Sequence, residues 1–140
     1  MIGMIISGHG HFATGILSAL ELISGKQETI CAVDFEEGMS ADELGANLDQ
    51  AMSSFDKATA VVLFTDLKGG TPFNQAFLRC QNNERLAVVA GTNLGMLLAS
   101  SFVQQTTSLN EFLTNAQQQG TVAIDYCTAL SSQELDAEDE

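Results

Sequence analysis

Apolar residues gather in five short, nearly continuous runs, at 2–7, 29–34, 58–65, 85–91 and 121–126, each rich in Val, Ile, Leu or Phe with little polar alternation. Strands covered on both faces read this way, because neither face has to meet water. Between the runs the period changes to that of helices. Phe12, Ile16, Leu17, Leu20 and Ile23 fall on one stripe of a helix over 12–24. A second helix over 41–55 follows Ser40, with Glu43 at the capping-box position. Helices over 72–80, 94–103 and 109–118 complete the set, the last opened by Ser108 with Glu111 three residues on. Gly25 and Gly120 stand where helix C-caps are expected. Strands alternating with helices predict an α/β fold with a doubly wound, mostly parallel sheet. Right-handed crossovers and the commonest small topology give strand order 2-1-3-4.

That order makes neighbours of two loops distant in sequence, the ones that follow the first and third strands. The first reads Ser7-Gly8-His9-Gly10-His11-Phe12-Ala13 and the second Thr65-Asp66-Leu67-Lys68-Gly69-Gly70-Thr71-Pro72-Phe73. A neutral imidazole attacks through one nitrogen only if the proton resides on the other, and a carboxylate accepting that N–H fixes the tautomer. Asp66 is placed to do this for His9. Thr71 reads as an N-cap and Pro72 as the first helical residue, so the amides of Gly69, Gly70 and Thr71 would face the crevice. Such amides hold phosphoryl oxygens without a cationic side chain.

Each piece alone has a plainer reading: a loop histidine, a turn aspartate, a capped helix. Their joint placement at one switch point favours a phosphoryl-carrying histidine. The rival is a nucleotide fold, since Gly8-x-Gly10-x-x-Ala13 follows a strand and Asp34 lies about 20 residues on, where a ribose-binding acid belongs. A small dinucleotide- or flavin-binding module would use those residues. Against it, the chain has no room for a substrate domain, an imidazole sits inside the pyrophosphate turn, and residues 66–72 go unexplained. His9, His11 and Asp66 also resemble a small metal-ligand set, but no third histidine or carboxylate-rich motif joins them, and no metal is expected. His11 is expected to cap the first helix or to face solvent.

Composition narrows the classes further. The 140 residues suit one domain, and the formal net charge of −13, with 5 basic residues against 18 acidic ones, cannot neutralise a run of phosphates. Nucleic acid is excluded on that ground, and a basic protein partner is favoured. Only Arg79 and Arg85 are available to surround a phosphate in the manner of a histidine phosphatase. The three cysteines, Cys31, Cys80 and Cys127, are far apart with no C-x-x-C pair, as in a reduced cytosolic protein. Residues 1–6 are apolar but lack a positive leader and are too few to span a bilayer, so a cytoplasmic location without membrane insertion is expected. The domain is read as 1–127, and 128–140 as an acidic, disordered tail.

At Ser7-Gly8-His9-Gly10, Asp34-Phe35, Asp66 followed by Gly69-Gly70-Thr71-Pro72-Phe73-Asn74, and Gly91-Thr92-Asn93-Leu94, the chain resembles the IIA component of the mannose family of the bacterial phosphoenolpyruvate:sugar phosphotransferase system. The resemblance covers most of residues 1–127, and Asp66 to Phe73 is its specific part. It implies that His9 takes a phosphoryl group from the carrier HPr and passes it to a histidine of a IIB component, here a separate chain. It also implies that Asp66 orients His9, that Thr71 stands at the Ser/Thr position near the phosphate, and that no cofactor is needed. A cytoplasmic homodimer follows from it, with a last strand at 121–126 crossing to the partner. Residues 66–72 look closest to the N-acetylgalactosamine/galactosamine branch, and His11 departs from the family pattern.

Overall fold

The computed structural model describes residues 1–130. Nine elements follow one another: β1 (Ile2–His9), α1 (Phe12–Ser24), β2 (Ile30–Phe35), α2 (Ala41–Ser53), β3 (Ala60–Thr65), α3 (Thr71–Cys80), β4 (Leu86–Val89), α4 (Leu94–Ser101) and α5 (Leu109–Val122). The strands form one parallel sheet in the order β2-β1-β3-β4, as the alternation of patterns predicts.

The continuous apolar runs serve two cores at once, because alternate side chains of a strand point to opposite faces. Ile2, Met4 and Ile6 of β1, with Ala60, Val62 and Phe64 of β3, meet Leu20 of α1, Leu97 of α4, and Phe112 and Ala116 of α5. On the other face Ile5, Val61 and Leu63 meet Leu44 and Leu48 of α2, Ala76 of α3, and Phe55. Gly3 is where that second face makes room: a Cβ there would lie 2.8 Å from the Phe55 ring.

Caps account for where several helices begin. Ser40 accepts a hydrogen bond from the Glu43 amide at 3.1 Å and Ser108 one from the Glu111 amide at 3.2 Å, both as the sequence predicts. Other boundaries differ. Gly70, not Thr71, is the N-cap of α3, so Thr71 is its first residue and Pro72 its second. Gly120 does not end α5; the helix continues to Val122, and a Cβ on Gly120 would come within 2.5 Å of Met96 Cε. Gly120 is therefore a packing glycine against α4 and not a C-cap.

The expected strand at 121–126 is not formed within the single chain. Thr121 and Val122 belong to α5, where Thr121 Oγ1 donates to the Gln117 carbonyl at 2.8 Å, and Ile124 to Cys127 adopt no regular structure. A strand needs a neighbour, and this segment has none among the described residues. Most of the expected acidic tail, 131–140, lies outside the described residues.

Candidate functional site

β1 and β3 are adjacent in the sheet, but α1 packs on one face and α3 on the other. The chain thus leaves the two carboxyl ends in opposite directions, which opens a crevice between the loops at that point. His9 is the last residue of β1, and Asp66 immediately follows β3. The Asp66 Oδ2 atom accepts the His9 backbone N–H at 2.9 Å and lies 2.9 Å from His9 Nδ1. One carboxylate oxygen thereby fixes both the backbone and the ring of His9. With Asp66 ionised, Nδ1 carries the proton and donates it, which leaves Nε2 with its lone pair free.

Asp66 stays ionised for a physical reason. Its partial burial works to raise the carboxyl pKa, but hydrogen bonds from the His9 backbone and ring, the nearby imidazole and the Leu67 amide outweigh burial and hold it below 3.8. Gly8 is the floor of this pair, since a Cβ there would lie 3.0 Å from Asp66 Cγ and would run into the Phe12 ring.

The start of α3 faces the other side of the imidazole. A Cβ built on Gly70 would stand 2.6 Å from His9 Cε1 and 3.3 Å from Nε2, so the free nitrogen lies directly over the helix N-cap. Gly69 has a φ of +83°, a left-handed conformation that glycine adopts without strain, and Gly70 N–H closes the turn on the Leu67 carbonyl at 3.1 Å. The first-turn amides of Thr71 and Phe73 have no intrahelical acceptor by the geometry of any helix start, and Pro72 has no N–H to satisfy. A phosphoryl oxygen near Nε2 would find those donors and the positive end of the α3 dipole.

Gly70→Ala makes a test of this packing. The backbone there, at φ −75°, tolerates alanine, so the fold should persist while the ring is displaced. A displacement of the order of 1 Å at a reacting atom costs about a hundredfold in rate. We expect phosphoryl labelling slowed to that degree at an unchanged melting temperature, measured on the same preparation.

The structure separates the two histidines. His11 does not join His9 and Asp66; its Nδ1 lies 3.1 Å from Asp34 Oδ2, on the β2 side of the loop. It occupies the N-cap position of α1 without capping it through its side chain, and its ring is exposed. His9, His11 and Asp66, the metal set that the sequence argued against, are not grouped within ligating distance of one another among the described residues. Asp34 also has a role that the nucleotide reading did not foresee. Its Oδ1 accepts the Thr14 amide at 3.0 Å and its Oδ2 the Thr14 hydroxyl at 2.7 Å, so a protein carboxylate fills the helix start where a pyrophosphate would have to sit.

Phe35 is the neighbour of His9 that single-residue reasoning missed. The parallel register sets it beside His9, and its ring meets the imidazole edge-on at a centroid distance of 5.9 Å. Nothing in the periodicity of 29–34 marks it, because the contact comes from strand register.

The comparisons with known proteins cover the segment that holds these residues. Residues 3–117 match the family model described as the PTS system fructose IIA component, the mannose-type EIIA family of the phosphotransferase system. The chain belongs to this EIIA family. It is 29% identical to the fructose-specific EIIA component of Bacillus subtilis over 91% of this chain and 88% of that protein. To the mannose-specific EIIAB component of Escherichia coli K12 it is 32% identical over 69% of this chain, and that match spans 30% of the longer protein. Among solved structures, the EIIA component from Streptococcus agalactiae superposes with a TM-score of 0.82 at 30% identity, covering 90% of this chain and 97% of that one. The mannose/sorbose-specific IIA subunit from Enterococcus faecalis gives 0.80 at 25% identity, over 90% and 94%. This EIIA chain is thus a phosphotransferase-system component with the sheet order and the crevice described above, and none of its helices within residues 1–130 is long and apolar enough to cross a membrane.

Proposed function

We propose that this EIIA protein carries a phosphoryl group on His9, taking it from the phosphohistidine of HPr and passing it to a histidine of a IIB component during sugar uptake. The observation that carries the reading is His9 itself, with Nδ1 held 2.9 Å from Asp66 and Nε2 set over Gly70 at the start of α3. In the transfer, the donor's N–P bond breaks as the Nε2–P bond forms, and the proton remains on Nδ1. Asp66 stabilises the positive charge that develops on the ring, and Gly69, Gly70 and Thr71 supply the turn and the donors for the phosphoryl oxygens. The reverse set of bond changes delivers the group to IIB.

Phosphoenolpyruvate, enzyme I and HPr should therefore yield an acid-labile, base-stable phosphoprotein, the behaviour of an N-linked phosphoryl group. Failure to label with a competent HPr, together with saturable binding of NAD or a flavin, would overturn the reading in favour of the dinucleotide module built on Gly8, Gly10, Ala13 and Asp34.

The site binds a phosphoryl group and not a sugar. Relatives of similar identity carry names for fructose, mannose and sorbose, which fits a component whose contacts do not encode the sugar. Assignment to the galactosamine branch rests on the wording of residues 66–72 alone.

We place the protein in the cytoplasm as a homodimer. β4 is an edge strand, and beyond α5 the side chains of Ile124 and Tyr126 are exposed beside Val122 in a segment without a partner strand. An unpaired edge and an alternating apolar segment complement one another across a two-fold axis. Sedimentation of the full chain at micromolar concentration should show a dimer, and a stable monomer would contradict it.

A further inference from the structure

The second histidine repeats the geometry of the first with opposite electrostatics. His11 Nδ1 stands 3.1 Å from Asp34 Oδ2, as His9 Nδ1 stands 2.9 Å from Asp66 Oδ2. A second carboxylate joins only the His11 pair: Glu36 Oε1 is 3.8 Å from the same nitrogen, and the three donor atoms lie within 4.8 Å of one another. A phosphoryl group on His11 would therefore face two carboxylates. It would also lose the nearest helix-start donor, because the Thr14 amide is already committed to Asp34. A cation meets the reverse situation, with two negative oxygens and one imidazole nitrogen converging from two elements.

We propose that His11 Nδ1, Asp34 and Glu36 form a surface site for a divalent transition-metal ion of the zinc type, with water completing its shell. The spacing suits it. A tetrahedral ion with bonds of about 2.0 Å holds its ligand atoms roughly 3.3 Å apart, and the observed 3.1 and 3.8 Å bracket that value. Only an exposed Glu36 side chain has to move.

The rest of the site is already fixed. Asp34 is anchored by the amide and hydroxyl of Thr14, and the two loops are tied by a bond from Gly10 N–H to the Phe35 carbonyl at 2.7 Å. The ion would take the Nδ1 lone pair of a neutral His11 ring that carries its proton on Nε2, and any proton held between Nδ1 and Asp34 leaves to solvent. Mixed nitrogen and carboxylate donors favour zinc over magnesium, which prefers six oxygens in a near-ideal octahedron.

Position gives the site its consequence. It straddles Phe35, whose ring packs against His9, so a bound ion would lock the loop that carries His9 to the end of β2. The proposal concerns metal binding and does not depend on the phosphocarrier reading, so each can fail without the other.

The test is calorimetry of the full-length, chelator-stripped protein with zinc chloride near neutral pH, together with NMR of the histidine rings. One ion per chain is expected, with the His11 ring signals shifting first and magnesium at equal concentration leaving them in place. His11→Ala and Glu36→Gln should each weaken binding at least about tenfold, the scale on which loss of a ligand or its support acts. Both residues are exposed, so both variants should fold, which their melting curves check. Three results would overturn the proposal: no saturable binding up to millimolar zinc; binding unchanged in both variants; or binding abolished instead by Cys127→Ser.

Discussion

His9→Ala is expected to abolish phosphoryl labelling while the protein keeps its fold. The His9 side chain is 46% exposed at the end of β1, so its removal opens no cavity in either core. Asp66 loses the ring but keeps the His9 backbone N–H as a donor, which limits the cost to about the worth of one hydrogen bond, roughly 0.5–1.5 kcal/mol. Thermal melting followed by circular dichroism measures that cost, and labelling by phospho-HPr measures the function. His11→Ala should still be labelled, because its imidazole faces Asp34 and Glu36 and has no part in the crevice. Full labelling of the His9→Ala protein, or loss of labelling only in His11→Ala, would move the acceptor two residues along the chain.

Asp66→Asn should leave HPr binding intact and slow transfer by about 10²- to 10⁴-fold, the range of acid–base and orienting effects. The substitution keeps the size of the side chain and removes its charge. Two losses then act together. The developing imidazolium has no counter-charge, and the amide can present its N–H₂ to Nδ1, which selects the tautomer with the proton on Nε2. That tautomer has no free lone pair at the nitrogen above Gly70. Single-turnover labelling under saturating phospho-HPr separates this from weaker docking: the rate should fall while the concentration for half-saturation stays put. A variant labelled at the parental rate would mean that Asp66 is only a structural support for the loop.

The sheet and its order were legible because the strands are buried on both faces. Ile2, Met4 and Ile6 point one way and Ile5 the other, so no polar side chain interrupts β1 from Ile2 to Ile6, and burial on two faces leaves a parallel sheet as the consistent architecture. The His9–Asp66 pair followed from that order, since it places the ends of β1 and β3 side by side. Element ends were less legible, for a local reason. Thr71 has the composition of an N-cap, but glycine in an extended conformation at Gly70 begins the helix one residue earlier. Gly120 has the composition of a C-cap and is instead where α5 passes Met96.

The segment 121–126 shows a further limit. Val122, Ile124 and Tyr126 alternate as a strand would, yet a strand is a pairing, and no periodicity reveals whether the pairing partner lies in the same chain. The rival nucleotide reading located Asp34 by its spacing from Gly8-x-Gly10-x-x-Ala13 and set it to bind a ribose. The same turn that could receive a pyrophosphate is closed by the carboxylate of Asp34 on Thr14. Sequence spacing placed the acid at the helix start but not which way its hydrogen bonds ran.

The most direct test of the account is the position of the phosphoryl group on the ring of His9, read by ¹H–³¹P correlation NMR on protein labelled through HPr. Nδ1 is committed to Asp66, and Nε2 lies over the start of α3. The predicted result is a single phosphohistidine, at His9 and on Nε2, with the Nδ1 proton retained and its resonance shifted by the carboxylate. A phosphoryl group on Nδ1 of His9, or on either nitrogen of His11, would contradict the account.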